Sequence, residues 1–182
     1  MYISVRKGIG TGPTELSAFD QALVDAGVAN FNLLYLSSVL PPNSDVVIEK
    51  NNTQPIEGDW GDKLYVVMAQ MRTMQRNQEA WAGIGWIQDT KTNKGLLVEH
   101  EGHSEAEVRA DIENSLKGLQ ENRHMEFGPI NMQVVGIKCE DLPVCALVVA
   151  VFESNEWLNR QNEKSDKNVN ILRRLTRKTH KS

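Results

Sequence analysis

Two adjacent serines, Ser37 and Ser38, follow the apolar run Leu33-Leu34-Tyr35-Leu36 and precede Val39-Leu40-Pro41-Pro42. The apolar run reads as a buried strand. The two prolines end any further sheet pairing, because neither has a backbone N–H to give. The Ser37–Ser38 peptide bond is therefore expected to be held between a strand and a rigid turn. Such a bond can cut itself. The Ser38 hydroxyl attacks the Ser37 carbonyl carbon, the acyl group moves from nitrogen to oxygen, and elimination of the ester leaves a new N-terminal residue that becomes a pyruvoyl group. A plain turn accounts for the same dipeptide, since serine hydrogen-bonds readily to nearby backbone. The dipeptide alone favours the turn, so the rest of the chain must decide.

The elements that would position these serines can be read in order. Residues 1–7 alternate as a strand. Residues 8–13 hold three glycines before Pro13, without the GK[ST] ending of a phosphate-binding loop, and are expected to be a loop that lets backbone pass close to another element. A helix follows, capped by Thr14 or a neighbour and ended by Gly27, with Leu16, Phe19, Leu23 and Ala26 as its apolar stripe. Asp20 lies at the edge of that stripe, either as a solvated helix acid or as a carboxylate aimed into a cleft. Residues 45–49, 64–74, 81–87 and 95–101 read as strands, and 50–62 as a polar surface loop. Gly83 and Gly85 point to close packing or a bulge. Ser104-Glu105-Ala106-Glu107 is a capping box opening a helix to about residue 123, striped by Val108, Ile112, Leu116 and Leu119. Two strands close the body, 132–139 and 144–152, the second apolar enough to be buried on both faces. The sum is an α+β sandwich with sheets in the middle and helices outside.

The 182 residues suit one domain with a real core. From Glu153 the composition turns polar and ends in a basic run, so the division is a body of residues 1–152 and a tail of residues 153–182, with Leu158, Ile171, Leu172 and Leu175 able to form a short helix. A net charge of −4 gives no reason to expect nucleic acid or an anionic membrane as partner. No run is long enough to span a membrane, and the N-terminus reads as a strand rather than a signal peptide. Cys139 and Cys145 form no CxxC pair and share no ligand spacing with the four histidines. They read as buried reduced thiols of a cytoplasmic protein, with no metal site.

The run Ala18-Phe19-Asp20-Gln21-Ala22-Leu23, then Ala26-Gly27, Asn32-Leu33 and Ser37-Ser38-Val39-Leu40-Pro41-Pro42, resembles the pyruvoyl-dependent arginine decarboxylases. Gly95-Leu96-Leu97-Val98-Glu99-His100-Glu101-Gly102, ahead of a capped helix, resembles the same family, and the likeness spans residues 1–152. It implies a proenzyme that cuts itself between Ser37 and Ser38 into residues 1–37 and 38–182. The large piece would start with a covalent pyruvoyl cofactor made from Ser38. It also implies a four-layer αββα sandwich and a trimer of processed protomers with active sites between subunits. The loop at 50–62 and the tail match nothing in the family pattern.

The resemblance also assigns roles. Self-attack on a resonance-stabilised peptide needs held geometry and a donor to the developing oxyanion. Asn32 matches the asparagine that assists processing. After cutting, the pyruvoyl carbonyl would condense with the substrate α-amino group and withdraw electrons as CO2 leaves. A carboxylic acid must then protonate the α carbon. Glu99 matches the catalytic glutamate. It follows Leu96-Leu97-Val98 and so is expected at the end of a buried strand, with Glu101 on the same face to raise its pKa further. Asp20 matches the aspartate that contacts substrate and would pair with a guanidinium, and Ser37 would lie at the substrate site. The favoured reading converts L-arginine to agmatine and CO2. One alternative is the same chemistry on another amino acid such as histidine, and another is a non-cleaving, non-catalytic subunit of this fold. A serine hydrolase is disfavoured, since Ser38 stands in no GxSxG elbow.

Overall fold

In the computed structural model residues 1–157 are described. The chain runs β1 (Tyr2–Thr11), α1 (Glu15–Ala26), β2 (Asn32–Tyr35), β3 (Val39–Leu40), β4 (Asp45–Ile48), β5 (Lys63–Thr73), β6 (Glu79–Gln88), β7 (Gly95–Gly102), α2 (Glu105–Arg123), β8 (Asn131–Lys138) and β9 (Val144–Asn155). Two sheets form, one ordered β2-β5-β9-β1-β4 and one ordered β3-β7-β6-β8. The fold is thus mixed α+β, with two sheets and two helices among the described residues.

Residue parity assigns the packing. On β5, Val67 and Ala69 face a core shared with Ile84 of β6 and Leu97 of β7, so the two sheets meet there. Val66 and Met68 face the other way, onto Ala18, Ala22 and Ala26 of α1. On β7, Leu96 and Val98 face Val108, Ile112 and Leu116 of α2. Each fully buried aliphatic side chain in these clusters contributes about 1.5–3 kcal/mol. β9 is buried along both faces from Val144 to Phe152, as its unbroken apolar run predicts. Cys139 and Cys145 are free and buried, and burial pushes the Cys145 thiol up to about 11.

Five expectations change. The glycine segment is not a loop but the second half of β1, paired with β9 through Thr11. Its glycines do let another element pass close: a Cβ on Gly10 would stand 2.0 Å from the Ala18 carbonyl oxygen, and one on Gly8 would stand 2.1 Å from that of Ala22. That approach changes the buried face of α1. Only a helix face of alanines fits against bare backbone, so Ala18, Ala22 and Ala26 are buried while Leu16 is 68% exposed. Thr14 and Gly27 cap the helix as expected.

Residues 33–36 are not a buried strand. β2 is the edge of its sheet, paired only with β5, and Leu34 and Tyr35 are exposed. Lastly, β9 runs on through Asn155, so sheet structure passes the boundary expected at Glu153, and the short helix expected around Leu158 to Leu175 lies outside the described residues. Ser104 caps α2, but Glu107 returns to the N–H of His103 rather than to that of Ser104.

The tight β1–α1 contact predicts that Gly10→Ala is destabilising by at least about 2 kcal/mol, because backbone must move to admit one methyl. Chemical denaturation of the two proteins measures it.

Candidate active site

The chain passes from the five-stranded to the four-stranded sheet in three residues, Leu36, Ser37 and Ser38. Both sides of the crossing are tied to sheet backbone. The Leu36 N–H donates to the Val66 carbonyl at 2.9 Å, and the Leu97 N–H donates to the Ser38 carbonyl at 2.9 Å. β3 then pairs with β7 for two residues and ends where Pro41 follows. So Ser37–Ser38 is held by strand on both sides, with the proline turn one step further on. Ser38 has φ +60°. A serine in this left-handed region costs about 1–2 kcal/mol, similar to what the two anchoring hydrogen bonds contribute at about 1 kcal/mol each.

The strained residue points its hydroxyl at an acid. Ser38 Oγ donates to Glu99 Oε2 at 2.9 Å. Two distant segments, read separately from the sequence, thus meet side chain to side chain. Glu99 follows four buried residues of β7 but is itself exposed. Burial by this chain alone therefore does not supply the desolvation expected for it. Glu101 is exposed too, two residues along the same strand.

An open cleft of about 520 Å³ lies against Ser38 and Glu99. β7 lines it from Leu97 to His100, and α2 lines it with Ser115, Gly118, Leu119 and Asn122. His100 Nε2 and Ser115 Oγ stand 2.8 Å apart, pinning the Glu99-bearing end of β7 to the helix. The α2 wall was missed in the sequence reading. Its signal was present: residues 115, 118 and 122 recur at helical spacing beside the apolar stripe that ends at Leu119. The room matters chemically. A pyruvoyl group at position 38 would face open space with a carboxylate already at hydrogen-bond distance, so the residues present fit that group.

Two expected site residues are not brought in. Asn32 Nδ2 donates to the Gly61 carbonyl at 2.6 Å, a bond across the edge of β2 rather than toward Ser37. Asp20 is exposed on α1, which packs on the face of the five-stranded sheet turned away from the four-stranded sheet and the cleft. Exposed Leu16 and Val24 lie one helical turn to either side of it.

The family model described as pyruvoyl-dependent arginine decarboxylase matches residues 2–156. Curated pyruvoyl-dependent arginine decarboxylases are similar over part of their length. The protein of Picrophilus torridus is 32% identical over 105 residues, 57% of this chain and 57% of its own. That of Thermoplasma volcanium is 35% identical over 102 residues, 56% of this chain and 55% of its own. That of Halobacterium salinarum is 42% identical over 84 residues, 46% of this chain and 51% of its own. The chain thus spans little more than half the length of these relatives. Among solved structures, a pyruvoyl-dependent histidine decarboxylase at pH 8 aligns with a TM-score of 0.41 and 12% identity, over 62% of this chain and 61% of that one.

Proposed function

The chain belongs to the pyruvoyl-dependent arginine decarboxylase family, and on that premise we propose that it is a self-processing enzyme that converts L-arginine to agmatine and CO2. The contact between Ser38 Oγ and Glu99 Oε2 carries this reading. In the uncut chain Glu99 is placed to take the hydroxyl proton as Ser38 Oγ attacks the Ser37 carbonyl carbon. The C–N bond then breaks as that proton passes to the Ser38 nitrogen, and an ester with a free amine remains. Loss of the Ser38 α proton and scission of its Cβ–O bond leave Ser37 as a carboxylate. Water converts the resulting dehydroalanine to pyruvoyl with release of ammonia. Asn32 would assist as a donor to the oxyanion, which requires its amide to leave Gly61.

Cutting need not release the small piece. Residues 1–37 include β1, which lies between β9 and β4, together with α1 and β2. They would stay bound through both sheet edges of β1.

When formed, the pyruvoyl group supplies the electron sink for decarboxylation. Glu99 then holds the proton that replaces CO2 at the substrate α carbon, and Ser37 borders the same site. In this proposal bound substrate and a neighbouring subunit cover Glu99. Asp20 reaches a guanidinium only if another copy lays its α1 against this cleft. The exposed Leu16 and Val24 beside Asp20 favour such a contact, and with it the trimer with sites between protomers. The three apolar clusters support the full αββα four-layer description. The buried free cysteines support a reducing, cytoplasmic setting. Among the described residues no helix is long and apolar enough to cross a membrane. We also propose a division of the chain into a decarboxylase body of residues 1–152 and a polar, basic tail of residues 153–182.

Intact mass under denaturing conditions tests the reading. It predicts a fragment of about 4 kDa, the share by length of residues 1–37 in 20.4 kDa. Its partner fragment should be blocked to N-terminal sequencing and sensitive to borohydride, and Ser38→Ala should stay whole. A single 20.4 kDa species from the wild type would leave the non-cleaving subunit as the better account. Asp20→Asn should still cut itself but bind arginine at least about tenfold more weakly, a loss of 1.4 kcal/mol or more. Unchanged arginine affinity would remove Asp20 from the site.

A further inference from the structure

The α2 wall of the cleft contains a residue that the helix itself does not favour. Gly118 lies inside α2, five residues before its last residue, where glycine is about 1 kcal/mol worse than alanine. Close packing does not require it. A Cβ built there meets nothing within 4 Å, unlike one on Gly85, which would stand 2.1 Å from Ile112 Cγ2 where α2 crosses β6. Gly118 lines the cleft beside Ser38 and Glu99, so its missing side chain is cleft volume.

Hydrocarbon and polar groups border that volume. Val98 and Leu119 supply hydrocarbon, and Ser115, Asn122 and His100, whose Nε2 stands 2.8 Å from Ser115 Oγ, supply polar groups. Among the described residues, those lining the cleft include no lysine or arginine. This suits one part of an amino-acid substrate best. A guanidinium asks for a carboxylate partner, and the lining carboxylate, Glu99, is the group this reading assigns to the substrate α carbon. A carboxylate about to leave as CO2 is destabilised when water is replaced by hydrocarbon and no lysine or arginine holds it, whereas neutral CO2 is not. An ion pair in the same place would hold the ground state back.

We propose that the space over Gly118, between Leu119 of α2 and Val98 of β7, is the subsite for the substrate α-carboxylate. The inference rests on the decarboxylase reading and adds the orientation of the substrate in that site. The carboxylate lies toward α2 and the side chain extends away from it. The Cα–carboxyl bond breaks there, its electron pair stays with the α carbon, CO2 leaves along the cleft, and Glu99 returns a proton to that carbon.

Agmatine is arginine without the carboxylate, so the pair isolates this subsite. The protein used is the processed enzyme reduced with borohydride, which binds arginine without consuming it. Calorimetric titration compares wild type with Gly118→Leu, whose side chain fills the space. Arginine should bind at least about tenfold more weakly to the variant, and agmatine within about twofold of wild type. Equal loss for both ligands would mean that the side chain lies over Gly118, and would overturn the proposal. So would unchanged arginine binding, whether or not assembly is altered; with assembly lost, the gap would belong to a subunit contact. Gly118→Ala serves as the control for folding and should raise the melting temperature by about 2–4 °C. Intact mass keeps the two readings apart. If the wild type does not cut itself, the decarboxylase reading and this subsite fall together. If it cuts itself and the affinities fail the comparison, only the subsite falls.

Discussion

The Ser37–Ser38 peptide is part of the shortest crossing between the two sheets, and both of its neighbours are fixed by sheet hydrogen bonds. A chain with that little slack cannot relax Ser38 out of its left-handed conformation without giving up the Leu97 bond or the β3 pairing behind it. The same crossing sets the hydroxyl against Glu99. Strain, aim and acid thus follow from one constraint: β2 ends on one sheet and β3 begins on the other, three residues later. Such strain persists only where surrounding structure over-determines it.

The remaining architecture can be understood as support for that corner. Glycines in β1 bring α1 tight onto the five-stranded sheet, which fixes β9 and β5, and β5 in turn holds β2. On the other side, α2 packs through Val108, Ile112 and Leu116 and is joined to β7 by the His100–Ser115 bond. Because β3 covers only the Gly95–Leu96 end of β7, the strand beyond it is open, and that opening is the cleft.

Much of this was legible in the sequence where chemistry and pattern coincide. The serine pair, the prolines that end pairing, the capped α2 and its stripe, and the Glu99 strand all appear as read. What failed did so for a physical reason. The apolar stripe of α1 was chosen by hydrophobicity, but clearance against Gly8 and Gly10 selects alanines, and that selection is not visible until the two elements are adjacent. The run Leu33–Leu36 is apolar without being buried, since apolar sequence does not distinguish an edge strand from a central one. The destination of Asn32 depended on the Asp59–Asp62 turn, which carries no periodic signal. Asp20 rides on α1, and the sequence does not show that α1 covers the face of the five-stranded sheet turned away from the cleft. The Gly118 wall went unread because glycine in a helix looks like noise until the space beside it is seen.

The central claim is that Glu99 takes the Ser38 hydroxyl proton during self-cleavage. The rate of appearance of the 1–37 fragment from freshly folded Glu99→Gln measures it directly, since glutamine keeps an acceptor at the same reach but is a far weaker base. A fall of about a hundredfold or more relative to wild type is expected for loss of a general base. Cleavage of Glu99→Gln at the wild-type rate would contradict the account and leave the Ser38–Glu99 contact with no part in processing.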